Sequence, residues 1–275
     1  MPKELARAKV NLCLHIVGRR DDGMHLLDSL VVFPAIGDTL VAEAADALTL
    51  KITGPFADTL GTGADNLVVS AARLLGVQRA DLSLEKNLPV ASGIGGGSAD
   101  AAACIRLLSR TMNLQIPSVE KLAELGADIP VCIDQQSVRM SGIGEVLTSL
   151  PELPKFWIVL VNAGEPVETA KVFKSMKSRQ NAELSELPES FTDAEALFKY
   201  LRAQRNDMQE AAMEICPSIS LVLTEIAATT NCALARMSGS GGTCFGLYAA
   251  KSDAEAAAQL LGAKHPDWWV VSAEV

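Results

Sequence analysis

A glycine-rich stretch, PVASGIGGGSAD, covers residues 89–100 and precedes an alanine-rich run. Glycines at 93, 95, 96 and 97 let backbone N–H groups approach an anion without a clash from Cβ atoms. The first amides of a helix have no partner within the helix and carry a positive partial charge. Ser98 is suited to cap such a helix or to contact a phosphate or its metal. The stretch therefore predicts a phosphate-binding loop, and its alternative is a flexible turn with positive φ angles.

Two better-known phosphate loops do not fit this stretch. The Walker A pattern needs Lys and then Ser or Thr after its last glycine, and no lysine lies between Pro89 and Ile105. The dinucleotide pattern Gly-x-Gly-x-x-Gly needs glycine where this chain has Ser98. That motif also needs an acidic residue about 20 positions further on, where the sequence predicts a helix.

Composition narrows the class of protein. The chain has 275 residues and a formal charge of −9, which argues against sequence-blind nucleic-acid binding. The six cysteines lie far apart without a CxxC pair, which is typical of reduced thiols in the cytoplasm. The three histidines have no ligand spacing, so a metal cluster has little support. No apolar run approaches the roughly 20 residues of a membrane-spanning helix, and the first residues do not read as a secretory signal.

The elements that must position the loop alternate between strands and helices. KVNLCLHIV, residues 9–17, reads as a strand with Val10 and Leu12 on one face and Lys9 and Asn11 on the other. Further short strands, then a helix ending at Gly76 and a strand at residues 81–88, lead into the glycine loop. Prolines 151 and 154 precede a strand and a second half richer in helices. The order of elements favours α+β in two packed domains over a doubly wound sheet.

Three motifs carry a resemblance to a known family. LPVASGIGGGSADAAA (88–103) resembles the phosphate loop of the GHMP kinases, and ARMSGSGGTCFGLY (235–248) is similar to their third motif. ARAKVNLCLHIVGRRDDGMHLLDSL (6–30) supplies the Lys-bearing first motif and is the most specific of the three. GADIPVCI and GIGEVLTSLP match further blocks, and the resemblance is thinnest between Lys171 and Cys232.

The resemblance implies a fold and an activity. The fold would be the two-domain α+β GHMP kinase fold, with a ribosomal protein S5 domain 2-like N-terminal domain and a ferredoxin-like C-terminal domain. We expect residues 1–152 to form the ATP-binding domain and residues 153–275 the C-terminal domain, with ATP and substrate in the cleft between them. The first motif is most similar to the branch that phosphorylates the 2-hydroxyl of a cytidyl diphosphate-linked methylerythritol, in the non-mevalonate route to isoprenoid precursors. ATP and Mg²⁺ are the implied cofactors.

The resemblance implies catalytic roles for Lys9 and Asp128. Asp128 would accept or orient the proton of the acceptor hydroxyl, and Lys9 would keep Asp128 ionised. Each residue alone has a structural alternative. A lysine on a half-buried strand commonly reaches solvent at the edge, and an aspartate after a helix-ending glycine is commonly a cap.

The residues implied for ATP lie in the glycine loop and at the adenosine end of the nucleotide. They are Pro89, Val90, Ala91, Ser92, Gly93, Ile94, Gly95, Gly96, Gly97, Ser98 and Ala99, together with Asn66 and Lys86. Ser98 is also the candidate Mg²⁺ ligand, directly or through water. Asn66 is alternatively a simple helix cap. Asp100 would repel a phosphate if it faced the loop, so we expect it to point sideways.

The residues implied for the acceptor substrate come from the first and third motifs. They are Asn11, Met24, His25, Gly239, Ser240 and Gly241. Met24 stands where the family has tyrosine, so an expected aromatic or hydroxyl contact to the base is missing, although a methionine can pack on a base. Gly239–Gly241 would form a second backbone nest, with a hairpin turn as the alternative.

Other functions remain open at this stage. Another GHMP small-molecule kinase, of homoserine or mevalonate type, lacks the GRRDDGMH stretch of residues 18–25. The ATP-dependent diphosphomevalonate decarboxylase shares the fold but releases carbon dioxide and phosphate. A nucleotide-binding regulator could keep the fold without activity. We expect a small-molecule substrate, no nucleic acid, no membrane, and a monomer or weak homodimer.

Overall fold

The computed structural model describes residues 1–275, and its contacts divide the chain into two compact units. The first unit comprises Met1–Lys9, Ile36–Val90 and Gly95–Gln136. The second comprises Val10–Ala35, Ala91–Ile94 and Ser137–Val275. The units therefore alternate along the chain, and the glycine loop contributes to both. The boundary expected at residues 152–153 stays a prediction.

Strands and helices are numbered in chain order. The strands are β1 (Lys3–Arg7), β2 (Val10–Arg19), β3 (His25–Val32), β4 (Gly37–Glu43), β5 (Leu48–Thr53), β6 (Ala80–Glu85), β7 (Val138–Gly142), β8 (Val146–Ser149), β9 (Trp157–Asn162), β10 (Leu234–Met237), β11 (Thr243–Tyr248) and β12 (Trp269–Glu274). The helices are α1 (Leu67–Leu74), α2 (Gly96–Met112), α3 (Val119–Leu125), α4 (Ile129–Asp134), α5 (Thr169–Ser175), α6 (Ala194–Arg202), α7 (Gln209–Ile215), α8 (Ser218–Ala227) and α9 (Lys251–Lys264).

The first unit is a four-stranded sheet covered by helices. The strand order is β1–β4–β6–β5, antiparallel except for the parallel pair β5 and β6. β6 follows the strand period, because Ala80, Leu82 and Leu84 are buried while the residues between them are exposed. The alanine-rich helix α2 packs against β1 and β4 and against the helices α1 and α4. Its small side chains are suited to such close packing on several sides.

The second unit contains two antiparallel sheets, β2–β3–β7–β8 and β10–β11–β9–β12. Helices α8 and α9 pack on the second of these. The buried guanidinium of Arg236 on β10 donates to the carbonyl oxygens of Leu12, Leu201 and Gln204. These bonds tie β10 to β2 and to the end of α6.

The strand β2 differs from its predicted alternation of apolar and polar faces. Residues 10–16 are buried on both faces of the strand. His15 is buried, and hydrogen bonds of its two ring nitrogens with the Ala182 carbonyl and the Arg205 backbone amide offset the cost of burying them. Lys9 lies just before the strand, and the pairing with β3 shifts register between Asn11 and Cys13. β2 therefore lacks the exposed polar face predicted for Lys9 and Asn11.

The helix predicted before Gly76, the strand predicted at residues 81–88 and the strand predicted after Pro154 correspond to α1, β6 and β9, and the α+β class is confirmed. The pattern did not predict β7, β8, α4 and α5. All four residues of β8 are exposed, so no alternation marks that strand. The helices α4 and α5 have six and seven residues, too few for a helical period to stand out.

The cysteines are free thiols, and five of the six are buried. Burial raises the pKa of Cys104 and Cys132 to about 12, so these thiols stay protonated at neutral pH. This agrees with the prediction, made from their spacing, that the thiols are reduced. None of the helices has both the length and the apolar character needed to cross a membrane.

Replacing Gly37 with alanine should destabilise the first unit. Gly37 pairs with Arg7, and a Cβ atom there would lie 2.1 Å from the Ala6 carbonyl oxygen. We expect the free energy of unfolding to fall by about 2 kcal/mol or more, measured by urea titration with circular dichroism. Gly262→Ala on α9 is the matched control, because a Cβ there meets nothing within 4 Å and should be neutral or stabilising. Equal stability of the two variants would contradict this prediction.

Candidate active site

The glycine loop connects β6 to α2 and has a left-handed backbone at three positions. Ala91, Gly93 and Gly95 have φ angles of 51°, 76° and 63°. Gly95 is the N-cap of α2, and no side chain caps the helix there. The N–H groups of the first three helical residues therefore have no partner within the helix. The helix that the sequence predicted after the loop is present, with bare amides at its start.

Lys9 and Asp128 form an ion pair within the first unit. The Lys9 ammonium lies 3.0 Å from a carboxylate oxygen of Asp128, and the two side chains are 6% and 37% exposed. Lys9 is therefore not a lysine that reaches solvent. Asp128 occupies the N-cap of α4, but its side chain makes no capping hydrogen bond. Neither side chain makes the contact of its structural alternative, the Asp128 carboxylate is partly exposed, and catalytic roles for the pair stay predictions.

The amino end of α2 adjoins this ion pair. A Cβ atom on Gly95 would lie 3.1 Å from the Lys9 Cβ and 3.2 Å from the Lys9 Cε. On the other side, the Ser98 hydroxyl lies 3.9 Å from the position of a Cβ on Gly126, two residues before Asp128. Bare helix amides, a hydroxyl, an ammonium and a carboxylate therefore converge in the first unit. Such a set can bind an anion and accept a proton from a neighbouring hydroxyl.

The two glycine motifs touch within the second unit. The Ser238 hydroxyl donates to the Gly93 carbonyl at 3.0 Å and accepts from the Asn11 amide at 3.1 Å. The Thr243 amide donates to the Ser92 carbonyl at 2.9 Å. A Cβ on Gly93 would lie 2.6 Å from the Ser238 carbonyl oxygen, so only glycine permits this approach. The sequence did not single out Ser238, although it adjoins the predicted Gly239.

The third motif is a hairpin turn between β10 and β11. Gly239, Gly241 and Gly242 have φ angles of 56°, 116° and 91°. The Asn206 side-chain amide donates to the carbonyl oxygens of Met237 and Gly239, at 2.8 and 2.9 Å. The Ser240 hydroxyl forms a 2.6 Å hydrogen bond with the Thr169 hydroxyl. The hairpin alternative is therefore correct as a description of the fold, and a ligand-binding role for the turn stays a prediction.

Asn66 and Lys86 have structural partners. Asn66 caps α1, because its side-chain oxygen accepts from the Val68 amide at 2.9 Å, and its amide donates to the Gly61 carbonyl. The Lys86 side chain is 2% exposed and its ammonium is paired with Asp38 and Asp100. The cap alternative for Asn66 is present in the structure. Direct contacts of these two side chains with a nucleotide stay predictions.

Asn11, Met24 and His25 all lie in the second unit. The buried Asn11 side chain donates to the Ser29 hydroxyl at 2.7 Å. Met24 is 45% exposed at the turn before β3. The His25 ring stacks on Phe173 of α5 with centroids 4.2 Å apart, and its buried Nε2 atom has no hydrogen-bond partner. Burial, and then the charges of Arg19 and Arg179, lowers the pKa of His25, so its imidazole is neutral at pH 7.

Phe173 is a candidate site residue that the sequence did not reveal. It belongs to the seven-residue helix α5, which was not predicted, and it falls where the family resemblance is thinnest. The stacked pair offers an aromatic face, which suits a planar heterocyclic base.

Known proteins resemble this chain over its whole length. The family model for the GHMP kinases N terminal domain matches residues 66–147, and that for GHMP kinases C terminal matches residues 184–267. The 4-diphosphocytidyl-2-C-methyl-D-erythritol kinase of Cereibacter sphaeroides is 51% identical over 276 residues, covering 100% of this chain and 99% of its own. Its counterpart from Paramagnetospirillum magneticum is 50% identical, covering 98% and 97% of the two chains.

Solved structures of other GHMP kinases share the fold of this chain. A crystal structure of 4-(cytidine 5'-diphospho)-2C-methyl-D-erythritol kinase matches with a TM-score of 0.79 and 29% identity, covering 98% of both chains. The homoserine kinase of Cytophaga hutchinsonii, at 16% identity, shares the fold with a TM-score of 0.66 and covers 98% of this chain and 93% of its own. Both family models and the full-length relatives agree, and the chain belongs to the GHMP kinase family.

Proposed function

We propose that this ATP-dependent small-molecule kinase transfers the γ-phosphoryl group of ATP to the 2-hydroxyl of 4-diphosphocytidyl-2-C-methyl-D-erythritol, a step towards isoprenoid precursors. The observation that carries the proposal is the Lys9–Asp128 pair beside the amino end of α2. Relatives that carry the name of this activity match the whole length of the chain. The acceptor is a small molecule, and we place the reaction in the cytoplasm.

In this proposal the carboxylate of Asp128 accepts the proton of the acceptor hydroxyl. The hydroxyl oxygen then bonds to the γ-phosphorus, the bond to the bridging oxygen breaks, and ADP leaves with that electron pair. The ammonium of Lys9, 3.0 Å from the carboxylate, orients it and offers positive charge to the transferring group. The buried position of Lys9 strengthens this electrostatic interaction.

The phosphates of ATP would lie on the bare amides of residues 96–98 at the start of α2. The left-handed Gly95 and the neighbouring glycines leave the backbone uncovered, so anionic oxygens can approach closely. Bound Mg²⁺ would neutralise charge on these phosphates. Ser98 is the residue that we assign to it, since hydroxyl, water and phosphate oxygens suit this ion and no cluster of three or more His, Cys, Asp and Glu side chains is present.

The cytidine of the acceptor would pack on the His25–Phe173 stack in the second unit. The exposed aromatic surface of this pair would stack on the base. The exposed Met24 beside it can cover the other face of the base with a polarizable side chain. Asn11 and Gly239–Gly241 would complete the acceptor side.

Replacing Asp128 with asparagine should remove the proton acceptor and keep the fold. We expect kcat to fall by about 100- to 10,000-fold, with little change in the dissociation constant of ATP. Steady-state kinetics and calorimetric titration measure the two quantities. Asp134→Asn at the exposed end of the same helix is the matched control and should retain full activity. A nearly unchanged kcat for Asp128→Asn would refute the assigned role.

A panel of acceptors tests the substrate. Purified protein with ATP and Mg²⁺ should phosphorylate the cytidyl diphosphate-linked methylerythritol and leave mevalonate, homoserine and galactose unchanged, because only the first carries a base for the His25–Phe173 stack. Mass spectrometry of the products measures this outcome. Preferred phosphorylation of another acceptor, or release of carbon dioxide and phosphate from diphosphomevalonate, would contradict the proposal.

Replacing Phe173 with leucine should weaken binding of the acceptor alone. Loss of the stacked ring is expected to raise the KM for the cytidyl substrate by up to about tenfold, with kcat and the KM for ATP nearly constant. Phe191→Leu changes another aromatic pair of the same unit, an edge-to-face contact with Tyr200, and serves as control. Equal KM values for wild type and Phe173→Leu would remove the stack from the binding site.

A further inference from the structure

A buried cluster of charges lies next to the glycine loop in the first unit. The ammonium of Lys86 donates to a carboxylate oxygen of Asp38 and, at 2.8 Å, to one of Asp100. The three side chains are at most 4% exposed. None of them belongs to the proton-transfer chemistry proposed above, so their burial needs another explanation.

The charges of the cluster cancel only if one of its two carboxylates is protonated. One ammonium and two carboxylates would leave a net negative charge out of contact with water, which is costly. Burial raises the pKa of Asp100 to about 8, against the opposing effect of Lys86 and with the support of Asp38. A protonated Asp100 makes the cluster neutral at pH 7. The other oxygen of Asp100, Oδ1, is buried without a hydrogen-bond partner.

Asp38 fixes the entrance of the loop. Its second carboxylate oxygen accepts from the backbone amides of Asn87 and Leu88, at 2.5 and 2.8 Å. These are the last two residues before Pro89, where the loop begins. Hydrogen bonds to a carboxylate are stronger than those between neutral groups, so the chain enters the loop at a defined place.

The bond between Lys86 and Asp100 holds the end of the loop, where α2 begins. Asp100 lies in the first turns of α2, and its bond to Lys86 holds the start of this helix. The Lys86 ammonium lies 3.0 Å from the position of a Cβ on Gly96, the first residue of α2. One lysine head group therefore contacts a strand residue that holds the entrance and a helix residue that holds the exit.

We propose that the Asp38–Lys86–Asp100 cluster is a positioning device that sets the span between the two ends of the phosphate-binding loop. Lys86 thereby acts on the triphosphate through the loop and not by contact with the adenosine. The inference rests on the proposed binding of ATP phosphates at the amino end of α2. It assigns Asp38 and Asp100 a part in nucleotide affinity, although neither touches the nucleotide.

The variant Asp100→Ala tests this assignment. It removes the tie to α2 and leaves Lys86 balanced by Asp38, so the fold should persist, as circular dichroism would show. We expect the dissociation constants of ATP and of inorganic triphosphate, measured by calorimetry, to rise by the same factor, about ten- to a hundredfold. Asp100→Asn keeps a neutral acceptor for Lys86 and should restore the affinity for both ligands.

Ser109→Ala is the matched control, because Ser109 is a buried residue of the same helix whose hydroxyl also lacks a partner. Its affinities should equal those of the wild type. If Asp100→Ala does not fold, the double variant Asp38→Asn with Lys86→Met removes the tie without unbalanced charge and carries the same expectation.

Three results would overturn the inference. One is a folded Asp100→Ala, or double variant, with unchanged affinity for both ligands. Another is a loss for ATP with none for triphosphate, which would indicate an adenosine contact. Wild-type protein that binds neither ligand would refute the phosphate site and this inference with it, and that outcome is distinct from a variant effect. The titrations need no acceptor, so they do not depend on which alcohol is phosphorylated.

Discussion

The approach of the Lys9 side chain to Gly95 is the contact on which the rest of the candidate site depends. Gly95, the N-cap of α2, has a left-handed conformation, and a Cβ atom there would lie 3.1–3.2 Å from carbon atoms of the Lys9 side chain. The absence of that side chain leaves room for Lys9 beside the start of α2, with its ammonium 3.0 Å from a carboxylate oxygen of Asp128. In the proposed function this positive charge serves the phosphates of ATP and the acceptor hydroxyl.

A buried cluster of charges also supports the loop. The Lys86 ammonium is bonded to the carboxylates of Asp38 and Asp100, and Asp38 also accepts hydrogen bonds from the two backbone amides just before the loop. A rigid support suits a loop that uses its backbone to bind, because a backbone without side chains has little else to order it. The second glycine motif supplies more order through Ser238, which bonds Gly93 and Asn11. The backbone of the loop is therefore held by polar groups that have no direct part in the proposed phosphoryl transfer.

The sequence predicted several of these features for reasons that are local. Four glycines before an alanine-rich helix define a phosphate loop almost independently of the rest of the chain. The strand β6 was recognised because one of its faces is buried and the other exposed. By contrast, β2 is buried on both faces and β8 on neither. The alternation of apolar and polar residues therefore gave a wrong exposed face for β2 and did not reveal β8. Phe173 was missed because α5 is short and the family resemblance is thin there.

The sequence alone determined the glycine loop, the helix after it, the α+β class and the family resemblance that singled out Lys9 and Asp128. Each of these depends on near neighbours in the chain or on a spaced motif. Only the tertiary structure decided that Lys9 pairs with Asp128, that Lys86 is buried between two aspartates, and that His25 stacks on Phe173. These partners are far apart in sequence, and their contacts arise from packing of whole elements, which no local spacing encodes.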